Sequence, residues 1–370
     1  MLRNCFVSLE CRSDPAIVMT GSPTSQSVRE AALLPQMAEL MEHHRRACPA
    51  YARVLDATGH PAGRRYAQTH ELPWLPVRLF KEHALISTGR EQVAVLTSSG
   101  TTSTNVSRIA LDRDAAERQR HLLTATLTTV TGPRRLPLLI IDSPSSVRGE
   151  RSSIRGATVL GVMNVGREHV FALDDEQGID ATAVADFLQR HGHATFLIFG
   201  FTSLVWTRFY AFARSRGFDL AHAILLHTGG WKKLADQAVS PQEFRAGFLA
   251  ATGLHRCHNF YGMVEQGGTI HIESASGDGL YCPDFADVII RDPQTWKEAP
   301  IGTEGVIEVL SAAPRAHPGH VLLTEDRGVV HGIDDGEWPG KRFSVLGRLA
   351  RAEPRGCADT LPETTYGARP

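Results

Sequence analysis

Hydroxyls, glycines and a few charged groups recur at four places along this 370-residue chain, and each combination permits a defined chemistry. The first is Val95-Leu96-Thr97-Ser98-Ser99-Gly100-Thr101-Thr102-Ser103-Thr104, an apolar strand running into a loop of hydroxyls around one glycine. Such a loop offers backbone N–H groups and side-chain O–H donors to an anion. No G-K-[ST] follows, so it is not a Walker A loop. Alone it reads more readily as a Ser/Thr-rich surface loop. The second stretch, His227-Thr228-Gly229-Gly230-Trp231-Lys232, directly follows an apolar strand. Paired glycines there let a planar ligand approach the backbone, although a lone G-G is more often just a turn. The third, Asn259-Phe260-Tyr261-Gly262-Met263-Val264-Glu265-Gln266-Gly267-Gly268, places a carboxylate after a Tyr-Gly turn. Mg²⁺ takes one or two carboxylates plus phosphates, and Glu265 is suited to that; alone, it reads as a loop ion-pair partner. The fourth pairs Leu323-Thr324-Glu325-Asp326-Arg327-Gly328 with Leu346-Gly347-Arg348. An Asp after a strand can bind ribose hydroxyls, and an Arg can fork onto phosphate.

The elements that must position these groups follow from the apolar texture. Strands are expected at Val93–Thr97, Leu136–Asp142, Ala157–Val165, Ala194–Phe199, Ala223–His227 and Leu254–Phe260. Helices are expected at Asp112–Val130, Asp180–His191, Thr202–Arg216 and Pro241–Thr252. Strands alternating with helices imply βαβ units and a largely parallel sheet. Beyond about Gly268 the texture turns β-rich, which predicts an antiparallel or barrel-like portion. Upstream, Ser27 can cap a helix through about Cys48, with Pro35 able to shift its start. Its last turn, His43-His44-Arg45-Arg46, reads as a solvated helix end. Pro73–Lys81 reads as extended because of its prolines.

Length and composition fit one large or two modest globular domains, with 42% hydrophobic and 21% charged residues. Lys+Arg number 39 and Asp+Glu 40, a net charge of -1 that argues against a nucleic-acid or membrane-surface binder. No apolar run is long enough to span a membrane. Six scattered cysteines, Cys5, Cys11, Cys48, Cys257, Cys282 and Cys357, make neither a disulfide framework nor a zinc module. With no secretory h-region, a reduced, cytoplasmic setting is expected. His191 and His193 read as exposed caps, and Cys257 and His258 as packing residues.

Each motif is weak alone, but their order is not. T-S-S-G-T-T, then G-G, N-F-Y-G-M-V-E, T-E-D and G-R together resemble the adenylate-forming superfamily of acyl- and aryl-CoA synthetases, luciferases and peptide-synthetase adenylation domains. The resemblance runs from about Leu72 to Cys357. Leu75-Pro76-Val77-Arg78-Leu79-Phe80-Lys81, the loop continuing to Ser107-Arg108-Ile109, and Gly229-Gly230-Trp231-Lys232 are most similar to the acyl-protein synthetase family of bacterial bioluminescence.

That resemblance implies an α/β fold: the large N-terminal lobe of an adenylate-forming enzyme, with a smaller β-rich portion and no C-terminal lid domain. It implies a flexible extension over residues 1–26, a catalytic domain over 27–348 and a short tail over 349–370. Thr97, Ser98, Ser99, Gly100, Thr101 and Thr102 match the loop that handles ATP phosphates. Gly229 and Gly230 match the wall beside adenine, and Tyr261, followed by Gly262, the aromatic against its ring. Glu265 matches the magnesium carboxylate, Asp326 the ribose-binding aspartate and Arg348 the arginine near ribose and phosphate. Phe199-Gly200-Phe201-Thr202-Ser203 matches the carboxylate pocket. The family's loop lysine is absent, so Arg108 is expected to meet phosphate charge, and Val264 replaces a common hydroxyl residue.

Only 22 residues follow Arg348, too few for the lysine-bearing domain of longer relatives. Cys357 lies among them, flanked by Gly356 and near Arg351 and Arg355, which would favour its thiolate. By resemblance it takes the acyl group from the adenylate. The expected activity is therefore ATP- and Mg²⁺-dependent activation of a carboxylic acid, of fatty type by the family's habit. Transfer to Cys357 and hand-over to a reductase or acyltransferase would follow. An acid ligase passing its adenylate to CoA or a carrier protein is the alternative. A non-catalytic nucleotide-binding scaffold is a third reading.

Overall fold

Apolar runs buried on both faces build the centre of the sheet, as parallel strands require. The computed structural model describes residues 24–98, 106–148 and 153–349. In chain order the strands are β1 (Leu75–Pro76), β2 (Ala94–Thr97), β3 (Arg108–Leu111), β4 (Leu136–Ile141), β5 (Gly166–Phe171), β6 (Phe196–Phe201) and β7 (Ala223–Thr228). They continue with β8 (Arg256–Gly262), β9 (Ile270–Glu273), β10 (Leu280–Tyr281), β11 (Ala286–Arg291), β12 (Gly305–Ser311), β13 (Val321–Ile333) and β14 (Lys341–Arg348). One 12-stranded sheet has the order β11-β12-β13-β14-β10-β9-β8-β7-β6-β4-β5, with β1 pairing β13. Strands β5, β4, β6, β7 and β8 run parallel. From β9 onward the pairings along this path are antiparallel. The β-rich portion thus extends the same sheet. β2 and β3 form a separate antiparallel hairpin.

Alternate residues of the parallel strands enter two cores. Leu139, Ile141, Ile198 and Leu225 face helices Ala181–His191 and Pro241–Thr252, through Val184, Phe187, Phe244 and Phe248. Leu138, Ile140, Leu197 and Leu226 face Leu127, Val159 and Val162 of helices Arg113–Thr131 and Ile154–Met163. A βαβ series covered on both faces is the α/β architecture the sequence implied.

The strand expected at Ala157–Val165 is instead helix Ile154–Met163. A short apolar run does not distinguish a buried strand from a buried helix. Here the Ser153 side chain caps the first turn, accepting from Gly156 N at 3.1 Å. Val159 and Val162, three apart, share the face against the sheet. The edge strand lies just beyond, in the more polar β5. Pro35 stands inside a helix that begins at Gln26 and runs to Ala47. His44, expected in a solvated helix end, is fully buried, because that end packs beneath the loop before β13. In the Pro73–Lys81 stretch, Leu75–Pro76 joins the sheet and Leu79–Glu82 turns helical. Among the described residues no helix is long and apolar enough to cross a membrane.

Candidate active site

Three parallel strands, β6, β7 and β8, end side by side, and side-chain hydroxyls tie their ends together. Thr202 Oγ1 donates to the Thr228 carbonyl at 3.1 Å, and Thr228 Oγ1 to the Phe260 carbonyl at 2.7 Å. Gly229 follows with φ of 83°, a conformation that favours glycine. A side chain on Gly230 would meet nothing within 4 Å. The exposed Gly229–Gly230 turn therefore offers bare backbone at the carboxyl edge of the sheet, where open α/β sheets bind ligands. Gly262 closes β8 at the same edge.

Glu265 sits just beyond, in a single 3₁₀ turn over Val264–Gln266. Gly268 brings the turn against the helix Arg113–Thr131: its φ is 86°, and a Cβ there would lie 2.6 Å from Gln119 Cα. Glu265 is 3% exposed. Burial raises its carboxyl above the usual range; the Ser107 side chain and Arg348 pull it down, and Glu325 pushes it further up. Ser107 N donates to Ser98 Oγ at 3.0 Å, and Ser98 N donates to the Ser107 carbonyl at 3.1 Å. The stem of the hydroxyl loop is thereby set beside Glu265. Thr97 ends β2 opposite Arg108 of β3, and Arg108 is exposed. Ser99, Gly100, Thr101 and Thr102 lie outside the described residues, as does Cys357.

The other side of the site comes from the antiparallel hairpin β13–β14, in which Asp326 stands opposite Arg348. Arg348 Nε lies 3.5 Å from Asp326 Oδ1, and Nη1 lies 3.7 Å from Glu325 Oε2. Tyr261 donates its hydroxyl to Asp326 Oδ2 at 2.7 Å. Burial, then the Asp326 charge, raises the phenol well above its ordinary value, so it remains a donor. Asp326 N donates to Thr324 Oγ1 at 3.1 Å, which fixes the carboxylate's base.

The structure thus joins Tyr261, Asp326 and Arg348 in one chain of contacts, and the Arg348 charge also acts on the buried Glu265 carboxylate. It sets Gly229, Gly230 and Gly262 along the adjoining strand ends, and Thr97 at the hairpin stem. A buried carboxylate raised by desolvation, with the otherwise unpartnered Ser107 hydroxyl acting on it, suits a hard cation that binds oxygen ligands. Two further features escaped sequence reading. Asp142, at the end of β4, receives a two-pronged bond from Arg155, and His317 bonds the Glu265 backbone. Asp142 directly after an apolar run was a usable signal; His317 had none, since its partner is 52 residues away.

The model of the family described as acyl-protein synthetase, LuxE, matches residues 15–365. The long-chain-fatty-acid–luciferin-component ligase of Vibrio harveyi is 21% identical over 356 residues, covering 94% of this chain and 92% of that protein. Among solved structures, an open conformation of 2-hydroxyisobutyryl-CoA ligase in complex with 2-HIB-AMP and CoA superposes with a TM-score of 0.67 at 15% identity. That match covers 92% of this chain and 80% of the ligase. The same ligase in its postadenylation state gives 0.65 at 14% identity, over 91% and 72%. These structures share the fold of this chain.

Proposed function

The chain belongs to the LuxE acyl-protein synthetase family and is an AMP-forming acid ligase, and from that premise we propose which acid it activates, with which residues, and where the acyl group goes. The acid is a fatty acid, by similarity to the Vibrio harveyi ligase. Its carboxylate oxygen attacks the α-phosphorus of ATP; the bond to the bridging oxygen breaks and pyrophosphate leaves. Such a step needs positioning and neutralisation of charge more than covalent help. Asp326, steadied by Tyr261, holds the ribose hydroxyls. Arg348 places its fork between ribose and phosphate. The Gly229–Gly230 turn lies along adenine, and the loop from Thr97 to Thr102 receives the phosphates. Magnesium held by Glu265 would neutralise phosphate charge.

In the second step the Cys357 thiolate attacks the acyl carbon and AMP leaves, giving a protein thioester. A reductase or acyltransferase then collects the acyl group. The observation that supports this reading most is the convergence of Glu265, Arg348, Asp326 and Tyr261 at the carboxyl edge of the sheet.

Fatty-acid-dependent ATP–pyrophosphate exchange tests the first step. Glu265→Gln should lower it about 10- to 100-fold. Exchange that is absent with any acid marks a nucleotide-binding scaffold. Cys357→Ser should keep exchange but lose labelling of the protein by radioactive acid. Undiminished thioester formation on CoA or a carrier protein in that variant supports the acid ligase that uses those acceptors.

A further inference from the structure

Glu265 is gripped from behind by a loop that none of these roles uses. Between β12 and β13 the chain reads Ala312-Ala313-Pro314-Arg315-Ala316-His317-Pro318-Gly319-His320. His317 is 1% exposed, and its Nε2 lies 2.8 Å from the Glu265 carbonyl oxygen. A carbonyl only accepts, so Nε2 carries the hydrogen and donates. Two residues on, the Gly319 carbonyl accepts from Gln266 Nε2 at 2.9 Å. Consecutive residues of the Glu265 turn are therefore held by one loop.

The fit is close on every side. A Cβ on Gly319 would lie 2.5 Å from the Glu265 carbonyl oxygen and 2.8 Å from His317 Nε2. Phe80 meets the His317 ring edge-on, with centroids 5.7 Å apart. The Nε2–H is committed to the Glu265 carbonyl. A single 3₁₀ turn has poor internal hydrogen bonds and depends on such outside support.

We infer that His317 is a positioning residue: by holding the peptide plane after Glu265 it aims that carboxylate at the nucleotide's magnesium. The inference rests on the role proposed for Glu265. Partners that orient a metal ligand from behind are commonly worth 10- to 100-fold in metal affinity.

The test uses the full chain and calorimetric titration of ATP binding at a series of Mg²⁺ concentrations. His317→Asn and His317→Gln are both buried amides, but only Gln has the reach to place a donor where Nε2 stands. Asn should raise the Mg²⁺ needed for half-maximal binding about tenfold or more. Gln should restore it to within about threefold, the scale of one weakened hydrogen bond. In a Glu265→Gln background the Asn change should add nothing further. Equal behaviour of Asn and Gln, or an undiminished Asn effect in the Glu265→Gln background, overturns the inference alone. An unchanged Mg²⁺ requirement in Glu265→Gln itself overturns the role of Glu265, and this inference with it.

Discussion

Tyr261 and Asp326, 65 residues apart, meet through a 2.7 Å hydrogen bond that spans from the last parallel strand to the antiparallel hairpin. Asp326 also faces Arg348 at 3.5 Å, so its two oxygens have different partners. A carboxylate held by a phenol on one oxygen keeps a fixed orientation toward a ligand. Tyr261→Phe removes only that hydroxyl. A hydrogen bond to a charged group contributes about 1.5–3 kcal/mol. If Asp326 holds the ribose as proposed, the KM for ATP should therefore rise about tenfold or more, with kcat changing less, since that contact would persist before and after the chemical step. Steady-state pyrophosphate release at varied ATP measures this, and an unchanged KM removes Tyr261 from the nucleotide site.

The Asp142–Arg155 pair makes a different prediction, about folding. Asp142 is 0% exposed and Arg155 5%, and the two bonds are 2.9 and 2.6 Å. Removing one partner strands the other charge in the core, at a cost of about 3–5 kcal/mol. Arg155→Met should show this loss in urea unfolding. The double change Asp142→Asn with Arg155→Met should recover part of it, because no unpaired charge is left. Equal losses in the single and double variants would contradict the pairing account.

How much of this was legible in the sequence depends on the range of the causes. The helix Pro241–Thr252 matched its expected span because every determinant is local: Ser240 caps it, Glu243 completes the capping box and Gly253 ends it in the left-handed region. The Gly229–Gly230 turn and the Tyr261–Glu265 stretch were legible for the same reason. Ala157–Val165 was misread because its apolar residues satisfy either period, and packing against the sheet decides. His44 looked solvated within its own charge run. Only the fold shows the Pro314 carbonyl 3.2 Å from its Nε2 and Ser87 Oγ 2.8 Å from its Nδ1. The Tyr261–Asp326 contact is likewise a product of topology.

Gly268 ties the Glu265 turn to its supporting helix. It combines a φ of 86° with a Cβ position 2.6 Å from Gln119 Cα and 2.7 Å from Gln119 O, both backbone atoms that cannot swing away. Gly268→Ala should therefore destabilise the protein by about 1–3 kcal/mol and reduce exchange activity by displacing Glu265. Gly230→Ala, which meets nothing within 4 Å, is the control and should leave the unfolding midpoint nearly unchanged. Equal stability of the two variants would show that the helix–turn approach is not tight in solution.

Acid sensitivity follows from the buried histidines. Burial lowers His227 and His320 to about 3 and His271 and His317 to about 4, and it places His44 well below 6.5, with His320 adding to that last shift. Unfolded, each titrates near 6.5. Between about pH 6.5 and 4 the unfolded chain therefore binds protons that the folded chain refuses. The stability these groups contribute is fully present above pH 6.5 and is lost as pH falls, at roughly 1.4 kcal/mol per pH unit for each proton taken up. Glu265 and Glu308 run the opposite way, since burial raises both carboxyls, Glu308 to about 7, and that contribution is lost as pH rises, but they are two groups against these five. Urea unfolding at pH 7.0 and 5.5 should show a fall of about 2–4 kcal/mol, with a net slope of about one to two protons. His320→Gln should flatten that slope by about one proton. A stability profile that stays level over this interval would mean that the histidines are charged, or solvated, in the folded protein.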